Sequence, residues 1–289
     1  MHSWNKNVLI LGVTGMLGHT LFHYFMTRNQ YNVSGTVRSN VPSNFLGFPD
    51  SVNIFSNICV EDIAQVEKVI IQFQPNIVIN CIGLIKQLPL SENISKSIYI
   101  NSLFPHLLSN LCKKNHTKLI HFSTDCVFSG SEGMYTESHI PDGHDLYAKT
   151  KILGEINDSN VITLRSSLIG HELKNKLSLL EWFLSQESTI YGYKNAIFSG
   201  LPCVEMARVV HDYVIPNSGL SGIFHVSSKP ISKFELLNLI SKIYKKNIHI
   251  KSDEQKKINL SLDSSHFRNS TGYTAPEWLD LIDFMCSYG

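Results

Sequence analysis

The sequence predicts an α/β fold, in which a doubly wound parallel sheet is joined to a smaller C-terminal lobe. Three observations predict it. Short, almost wholly apolar segments alternate with helical patterns, a glycine-rich turn follows the first apolar segment, and the alternation loosens after Arg165. Strands that are apolar along their whole length are buried on both faces, as parallel strands between two helix layers are.

The first half of the alternation contains three strands and two helices. "NVLILGV" predicts the first strand and "HTLFHYFM" a helix, and "YNVSGTV" and "VNIF" predict the second and third strands. "DIAQVEKVIIQF" has apolar residues at helical spacing and therefore predicts a second helix.

The second half continues the same alternation. "PNIVINCIG", "KLIHFS" and "VITLR" predict strands, separated by the helices "SIYINSLFPHLLSNLCKK" and "DLYAKTKILGE". Later, "LSLLEWFLSQ" and "SKFELLNLISKIYKK" predict amphipathic helices and "GIFHVSS" one more strand. We expect a sheet domain over residues 1–165 and about 199–228, and the smaller lobe over 166–198 and 229–289.

Composition indicates an ordinary globular protein and argues against several classes of partner. The chain is 43% hydrophobic with a formal net charge of +1, and it has no long basic run, so nucleic acid and membrane surfaces are not expected as partners. Its six cysteines are scattered without a Cys-x-x-Cys pair, which predicts neither a disulfide framework nor a metal site. No signal peptide or membrane span is evident, and we expect a cytoplasmic location.

A glycine-rich loop directly follows the first strand. In "GVTGMLGHT", Gly12, Gly15 and Gly18 recur every three residues before a helix. Such glycines allow a tight turn, a close approach to a pyrophosphate and tight helix packing, whereas a tight turn without ligand would explain them too. The placement between strand and helix favours dinucleotide binding. The loop residues predicted to contact the cofactor are Gly12, Thr14, Gly15, Met16, Leu17 and Gly18.

The end of the second strand predicts which dinucleotide is bound. No acidic residue lies between Tyr31 and Pro49, so the carboxylate that binds an unphosphorylated ribose is absent. Arg38 stands in "GTVRSN", twenty residues after Gly18, and its guanidinium can pair with a 2'-phosphate. We therefore expect NADPH/NADP+ as the cofactor, with Thr36 and Arg38 in its site.

A tyrosine and a lysine stand four residues apart in "DLYAKTKILGE". Tyr147 and Lys151 would project from the same face of a helix. A nearby ammonium lowers the pKa of a phenol, so this Tyr could act as a general acid or base. Packing of Tyr147 beside a solvated Lys151 is the alternative.

These motifs, with "INCIG" and "STD", together resemble an extended short-chain dehydrogenase/reductase with a Rossmann domain. "STDCVFSG", "GMYTE" and "DLYAKTKILGE" are most similar to the dTDP-4-dehydrorhamnose reductase family, which reduces 4-keto nucleotide sugars. The resemblance implies that Thr124 helps to hold the substrate carbonyl, that Tyr147 donates the proton, and that Lys151 binds the nicotinamide ribose. It also implies a nucleotide-sugar substrate bound by the smaller lobe and a role in surface polysaccharide biosynthesis.

The resemblance implies further site residues and also shows departures. Cys81, Ile82 and Gly83 match the turn that flanks the cofactor, and Asn101 matches an asparagine that is structural or holds a water. Cys59 and Val60 stand where many relatives have an adenine-contacting Asp, and Cys126 stands where Tyr is common. Candidates for substrate contact are Lys86, Asp125, Cys126 and His171.

Three functions remain open on sequence alone. The first is an NADPH-dependent reductase of a keto sugar nucleotide. The second is an epimerase or epimerase-reductase, in which Cys126 and His171 would move protons next to the keto group. The third is a noncatalytic protein that binds cofactor for regulation. Arg38 and the intact set Thr124, Tyr147 and Lys151 favour the reductase, while a homodimer is an option that the sequence leaves open.

Overall fold

The computed structural model describes residues 6–28, 30–39, 54–86, 93–173 and 177–288. Its chain divides into two compact units. The first unit contains residues 1–123, 145–164 and 219–223, and the second contains residues 124–144, 165–218 and 224–289. The predicted boundaries differ from this division mainly at 124–144 and 199–218, which belong to the second unit. The binding roles of the two units stay predictions.

The strands and helices follow the predicted alternation closely. The strands are β1 (Asn7–Leu11), β2 (Asn32–Thr36), β3 (Ile54–Phe55), β4 (Ile77–Asn80), β5 (Lys118–Ser123), β6 (Val161–Arg165), β7 (Leu168–Ile169), β8 (Ile190–Tyr193), β9 (Ala196–Phe198), β10 (Leu201–Pro202), β11 (Gly222–His225), β12 (Ile231–Ser232), β13 (Ile250–Asp253) and β14 (Ile258–Asn259). The helices are α1 (Met16–Arg28), α2 (Ile63–Phe73), α3 (Ile94–Ile98), α4 (Phe104–Lys114), α5 (Leu146–Leu153), α6 (Leu179–Leu184), α7 (Cys203–Val209), α8 (Lys233–Ile243), α9 (Ser265–Thr271) and α10 (Trp278–Tyr288). The first two residues of the predicted strand "VNIF" lie outside the described residues.

A seven-stranded sheet in the order β11-β6-β5-β4-β1-β2-β3 is the main feature of the fold. Strand β1 pairs in parallel with β2 and β4, and β2–β3 and β4–β5 are also parallel. The strand order reverses beside β1, so the carboxyl ends of β1 and β4 flank a crevice, where ligands of such sheets bind. The predicted α/β fold with a doubly wound parallel sheet is confirmed.

Apolar side chains on the sheet and its helices form the core of the first unit. Leu9, Leu11 and Val78 are fully buried against Val66 of α2 and Phe104 of α4. Each such side chain contributes about 1.5–3 kcal/mol through its removal from water. The apolar strands therefore fix the sheet in place and leave its carboxyl edge to carry polar groups.

The long predicted helix over 97–114 contains an irregularity. A π-helical turn, Tyr99–Leu103, lies between α3 and α4, and Pro105 follows it in the first turn of α4. Proline has no N–H to donate to the preceding turn, and a π turn accommodates that missing bond. The turn also places the Asn101 carbonyl against the C-terminal end of α5. A Cβ at Gly154, the C-cap of that helix, would overlap the carbonyl oxygen.

Among its described residues, the second unit contains two two-stranded sheets, one three-stranded sheet and five α-helices. Strand β13 pairs in parallel with β8, and β9 pairs with both β12 and β14. Helix α8 begins with a capping box, in which the Ser232 hydroxyl and the Glu235 carboxylate bind each other's backbone N–H groups.

The described part of the chain contains neither a membrane-spanning helix nor a cluster of metal-binding side chains. No helix there combines the length and the apolar character needed to cross a bilayer. No group of three or more His, Cys, Asp or Glu side chains in these residues could hold a metal ion. None of the six cysteines, all of which lie in the described residues, forms a disulfide.

Candidate active site

The glycine-rich loop is held against the end of β2. The Gly12 N–H lies 3.2 Å from both the carbonyl and the hydroxyl oxygen of Thr36, and the Val13 N–H lies 3.1 Å from the same carbonyl. Gly12 has φ +83°, and a Cβ there would meet the Ile82 side chain at 2.8 Å. The turn therefore requires glycine at this position for both its backbone angle and its packing.

The other two glycines of the loop have different reasons to be glycine. A Cβ at Gly18 would overlap the Gly12 carbonyl and lie 2.9 Å from its carbon, so α1 can pack here only without a side chain. A Cβ at Gly15 would meet only the Gly12 oxygen, at an ordinary 3.5 Å, and its φ is not in the left-handed region. Neither clash nor backbone angle requires glycine at Gly15. The space beside it suits a phosphate that approaches the first N–H groups of α1, including those of Met16 and Leu17.

The predicted residues after β2 and β3 lie at the same edge of the sheet. Arg38 is exposed and lies two residues beyond Thr36, which holds the Gly12 turn. The Ile58 N–H donates to the Val37 carbonyl at 3.0 Å, and the chain then continues to Cys59. The Cys59 N–H donates to the Gln65 side chain, and the next residue, Val60, is buried.

The segment after β4 packs directly under the glycine turn. The Cys81 N–H donates to the Leu11 carbonyl at 3.1 Å, and the Ile82 N–H donates to the Asn80 side chain. Gly83 follows at the carboxyl edge of β4. The structure therefore brings the Gly12 turn, Thr36 and the 81–83 turn together in the first unit.

Asn101 has a structural function that its hydrogen bonds define. Its side-chain oxygen accepts from the Leu84 N–H at 2.8 Å, and its amide nitrogen donates to the Leu84 carbonyl at 3.0 Å. The same nitrogen lies 3.3 Å from the Thr150 hydroxyl. Asn101 thus fixes the chain after β4 to the helix that carries Tyr147 and Lys151.

The predicted Tyr-Lys pair lies in one helix, as expected. Asp145 caps α5 by accepting from the Ala148 N–H at 2.8 Å, which places Tyr147 and Lys151 one turn apart on one face. Tyr147 is half-buried, whereas Lys151 is only 6% exposed.

The Lys151 ammonium is buried and has one protein acceptor among the described residues. It donates to the Phe122 carbonyl at 2.7 Å. Burial lowers the pKa of Lys151 to about 8, and the nearby Glu155 carboxylate opposes that shift. Three N–H donors and one acceptor leave two donors for a ligand. His121, which is fully buried nearby, has its pKa lowered by burial and then by the Lys151 charge, so it is neutral.

A cavity of about 200 Å³ lies beside Tyr147. Its lining includes Leu84, Leu146 and the ion pair between Lys86 and Asp145. Lys86, predicted as a substrate contact, is therefore beside the phenol, and its side chain is paired with the residue that caps α5. Asn101 and Ser97 complete the polar part of the wall.

In the second unit, Thr124, Asp125 and Cys126 form a tight turn directly after β5. The Thr124 hydroxyl accepts from the Cys126 N–H at 3.1 Å and donates to the Asp125 carboxylate at 3.2 Å. Asp125 is 3% exposed, and burial raises its pKa, while the Lys233 charge and hydrogen bonds from Thr124, Cys126 and Ser167 oppose that shift.

His171 is held by two neighbours in the second unit. Its Nδ1 lies 2.9 Å from the Glu181 carboxylate and its Nε2 2.9 Å from the Tyr244 hydroxyl. Both ring nitrogens are therefore used to join the segment after β7 to α6 and to the residue that caps the C-terminus of α8.

One charged residue of the second unit was not predicted. Lys233, the first residue of α8, lies with its ammonium 3.7 Å from the centroid of the Phe198 ring and close to Asp125 and Cys126. In the sequence it is one lysine of an amphipathic helix, and only the fold brings it to the "STDC" turn.

Comparison with solved structures gives the same fold. The dTDP-4-dehydrorhamnose reductase of Bacillus anthracis, solved in complex with NADP, has a TM-score of 0.81 and 18% identity, with 100% of both chains covered. A hypothetical dTDP-4-dehydrorhamnose reductase of Sulfolobus tokodaii has a TM-score of 0.76 and 22% identity, covering 94% of this chain and 98% of that chain.

Curated relatives match over part of the chain. The methionine adenosyltransferase 2 subunit beta of Bos taurus is 28% identical over 151 residues, which cover 52% of this chain and only 42% of that relative's length. A probable low-salt glycan biosynthesis reductase of Haloferax volcanii is 22% identical over 231 residues, which cover 76% of this chain and 74% of the relative.

One family match covers most of the chain. The model of the RmlD substrate binding domain matches residues 6–265, which include both the glycine-rich loop and the Tyr147–Lys151 helix. The chain therefore belongs to the RmlD family of extended short-chain dehydrogenases/reductases.

Proposed function

We propose that the protein is an NADPH-dependent reductase of a keto group on a nucleotide-activated sugar. The observation that carries this proposal is the Tyr147–Lys151 face of α5, where a phenol beside a cavity shares a helix turn with a buried ammonium. Family membership and the Haloferax volcanii relative, named as a probable glycan biosynthesis reductase, support the same reaction class.

The residues of the first unit fit the cofactor. The side-chain-free space at Gly15 and the N-terminus of α1 suit the pyrophosphate, and Arg38 suits a 2'-phosphate. Cys59 and Val60 would border the adenine, and the 81–83 turn would border the nicotinamide half. The Bacillus anthracis reductase is solved with NADP, which agrees with this choice.

Tyr147 would donate the proton that the carbonyl oxygen takes up as it is reduced. The Lys151 ammonium stabilises the phenolate that remains, and its two unused donors can bind the nicotinamide ribose. When bound, NADPH supplies the hydride. Thr124 is proposed, on the family resemblance, as a second hydrogen-bond donor to the carbonyl oxygen. For this its hydroxyl would turn away from the Asp125 carboxylate, to which it donates in this structure.

The surroundings of His171 favour simple reduction over epimerisation. Epimerisation would need an imidazole that exchanges protons with the carbon next to the carbonyl. His171 instead joins Glu181 and Tyr244 through both nitrogens, so a catalytic role would require it to leave both partners. Cys126 stays a candidate for substrate contact.

A regulatory function is the second candidate, because several curated relatives are named as a subunit of methionine adenosyltransferase 2. Those matches cover 42% of the relatives, and the Tyr147–Lys151 arrangement is intact here, so catalysis is favoured. We further propose that the reaction serves surface polysaccharide synthesis in the cytoplasm; a homodimer stays a prediction.

A panel of keto sugar nucleotides tests the proposal. Freshly prepared dTDP-, UDP- and GDP-linked 4-keto-6-deoxy sugars would be mixed with protein and NADPH, and NADPH oxidation followed by absorbance. Turnover of at least one substrate is expected. Tight NADPH binding without turnover of any member would favour the regulatory function instead.

A further inference from the structure

The Lys233 ammonium lies against an aromatic ring and near the "STDC" turn, and it has unused hydrogen-bond donors. Its ammonium lies over the Phe198 ring, and among the described residues no acceptor lies within hydrogen-bond distance of its Nζ. The side chain is half-buried. An ammonium has three N–H donors, so this group is ready to bind oxygen atoms of a ligand.

The position of Lys233 is electrostatically unfavourable without a ligand. Burial lowers the pKa of Lys233 to about 8, and the Lys256 charge acts in the same direction. A cation at the first position of a helix is also opposed by the helix dipole. Asp125 and Cys126 favour the charge, and the Phe198 ring stabilises it through its π face. Charged groups kept in such positions are concentrated at binding sites.

The groups around Lys233 indicate which ligand it can take. The Asp125 carboxylate is already used, since Thr124, Cys126 and Ser167 donate to it. The hydrogen-bond donors that remain for a ligand are therefore the N–H groups of Lys233. An uncharged oxygen atom can accept from these groups, whereas a phosphate would be repelled by the nearby Asp125 carboxylate. Thr124, two residues from Cys126, is the residue proposed to bind the substrate carbonyl, so the ligand portion here is the sugar.

We propose that Lys233 is a specificity-determining residue that donates hydrogen bonds to a hydroxyl or ring oxygen of the substrate's sugar. This inference rests on the proposed function, because it takes the substrate to be a sugar nucleotide. It assigns to α8 a direct contact with the sugar rather than with the nucleotide.

The test compares Lys233→Met with a matched control, Lys242→Met, which removes an exposed lysine from the same helix. Isothermal calorimetry with NADP+ present would measure binding of dTDP, UDP, dTDP-glucose and UDP-glucose. Loss of a hydrogen bond to a charged group is expected to weaken sugar-nucleotide binding about 10- to 100-fold, with the free nucleotides unaffected. Lys233→Arg should retain most of the affinity.

The pH dependence separates binding from structural support. The sugar-dependent part of the affinity should fall as pH rises through about 8 in the wild type, because Lys233 then loses its proton, and should persist to higher pH in Lys233→Arg. Asp125, Cys126 and Lys256 face the ammonium and are unchanged in both proteins.

The outcomes distinguish the inference from the function. If the wild type oxidises NADPH with a keto sugar nucleotide and Lys233→Met has the same KM and affinities as Lys242→Met, the inference is overturned. The inference is also overturned if the sugar adds no measurable affinity in the wild type, so that dTDP-glucose and UDP-glucose bind no more tightly than dTDP and UDP. Sugar-dependent binding that requires Lys233, without turnover of any keto substrate, supports the inference and rejects the reductase.

Discussion

Gly15 and Gly18 should respond in opposite ways to the same substitution. Gly15→Ala adds a methyl group that meets only the Gly12 oxygen, at 3.5 Å, whereas the methyl of Gly18→Ala would overlap the Gly12 carbonyl. The first position can therefore accept alanine within the protein, and the second cannot without movement of the loop or of α1.

The magnitudes follow from those contacts. Gly15→Ala should raise stability by about 0.4–1 kcal/mol, since alanine restricts the unfolded chain and is not strained here. Gly18→Ala should destabilise by about 1–3 kcal/mol or more, as overpacking against backbone does. If a phosphate of the cofactor approaches Gly15, the methyl group of Gly15→Ala should prevent a charge-assisted hydrogen bond to that phosphate. The loss should weaken NADPH binding roughly 10- to 100-fold.

Thermal unfolding without ligand and fluorescence titration with NADPH measure the two effects. Gly15→Ala should unfold at or slightly above the wild-type temperature yet bind NADPH poorly. Gly18→Ala should unfold at a lower temperature. Wild-type NADPH affinity in a stable Gly15→Ala protein would refute the assignment of this loop to the pyrophosphate.

Three further results are expected. Arg38→Asp should reverse the preference for NADPH over NADH in cofactor titrations; an unchanged preference would remove Arg38 from the 2'-phosphate site. Because burial lowers the Lys151 pKa to about 8, kcat should fall above that pH, as a pH-rate profile would show. The stability of the wild type relative to Lys151→Met should rise between about pH 8 and 10, because the unfolded chain there binds a proton that the folded chain does not. Unfolding measured across this pH range checks the second effect, and a constant stability difference would contradict it. Reaction in deuterated water should leave no deuterium on carbon beside the reduced centre, by mass spectrometry; deuterium that disappears in Cys126→Ser would make the protein an epimerase-reductase.

The sequence was sufficient for the elements that depend on local pattern. A short stretch of about ten residues is enough to define each of three features: the apolar strands, the glycine turn after β1 and the Tyr147–Lys151 spacing. The structure has each of them where the sequence pattern predicts it. Asn101 could be matched by position, but its bonds to Leu84 could not be predicted, because they join segments 17 residues apart through a π turn.

Contacts between distant segments could not be predicted. Lys233 reaches the turn at Cys126 only because the second unit joins segments more than a hundred residues apart. The partners of His171 likewise come from α6 and from the C-cap of α8, and no local pattern pairs an imidazole with Tyr244. Long-range pairing of this kind has no signature in the sequence of one chain.

Transfer of label from the cofactor tests the central claim most directly. NADPH deuterated on its transferable position would be incubated with the keto sugar nucleotide that gives turnover, and the product examined by NMR. We predict one deuterium on the new carbinol carbon with wild type. Tyr147→Phe should lose at least 100-fold in kcat while its NADPH affinity stays unchanged, because only the proton donor is removed. Product without deuterium at that carbon, or near-normal turnover by Tyr147→Phe, would contradict reduction at this site.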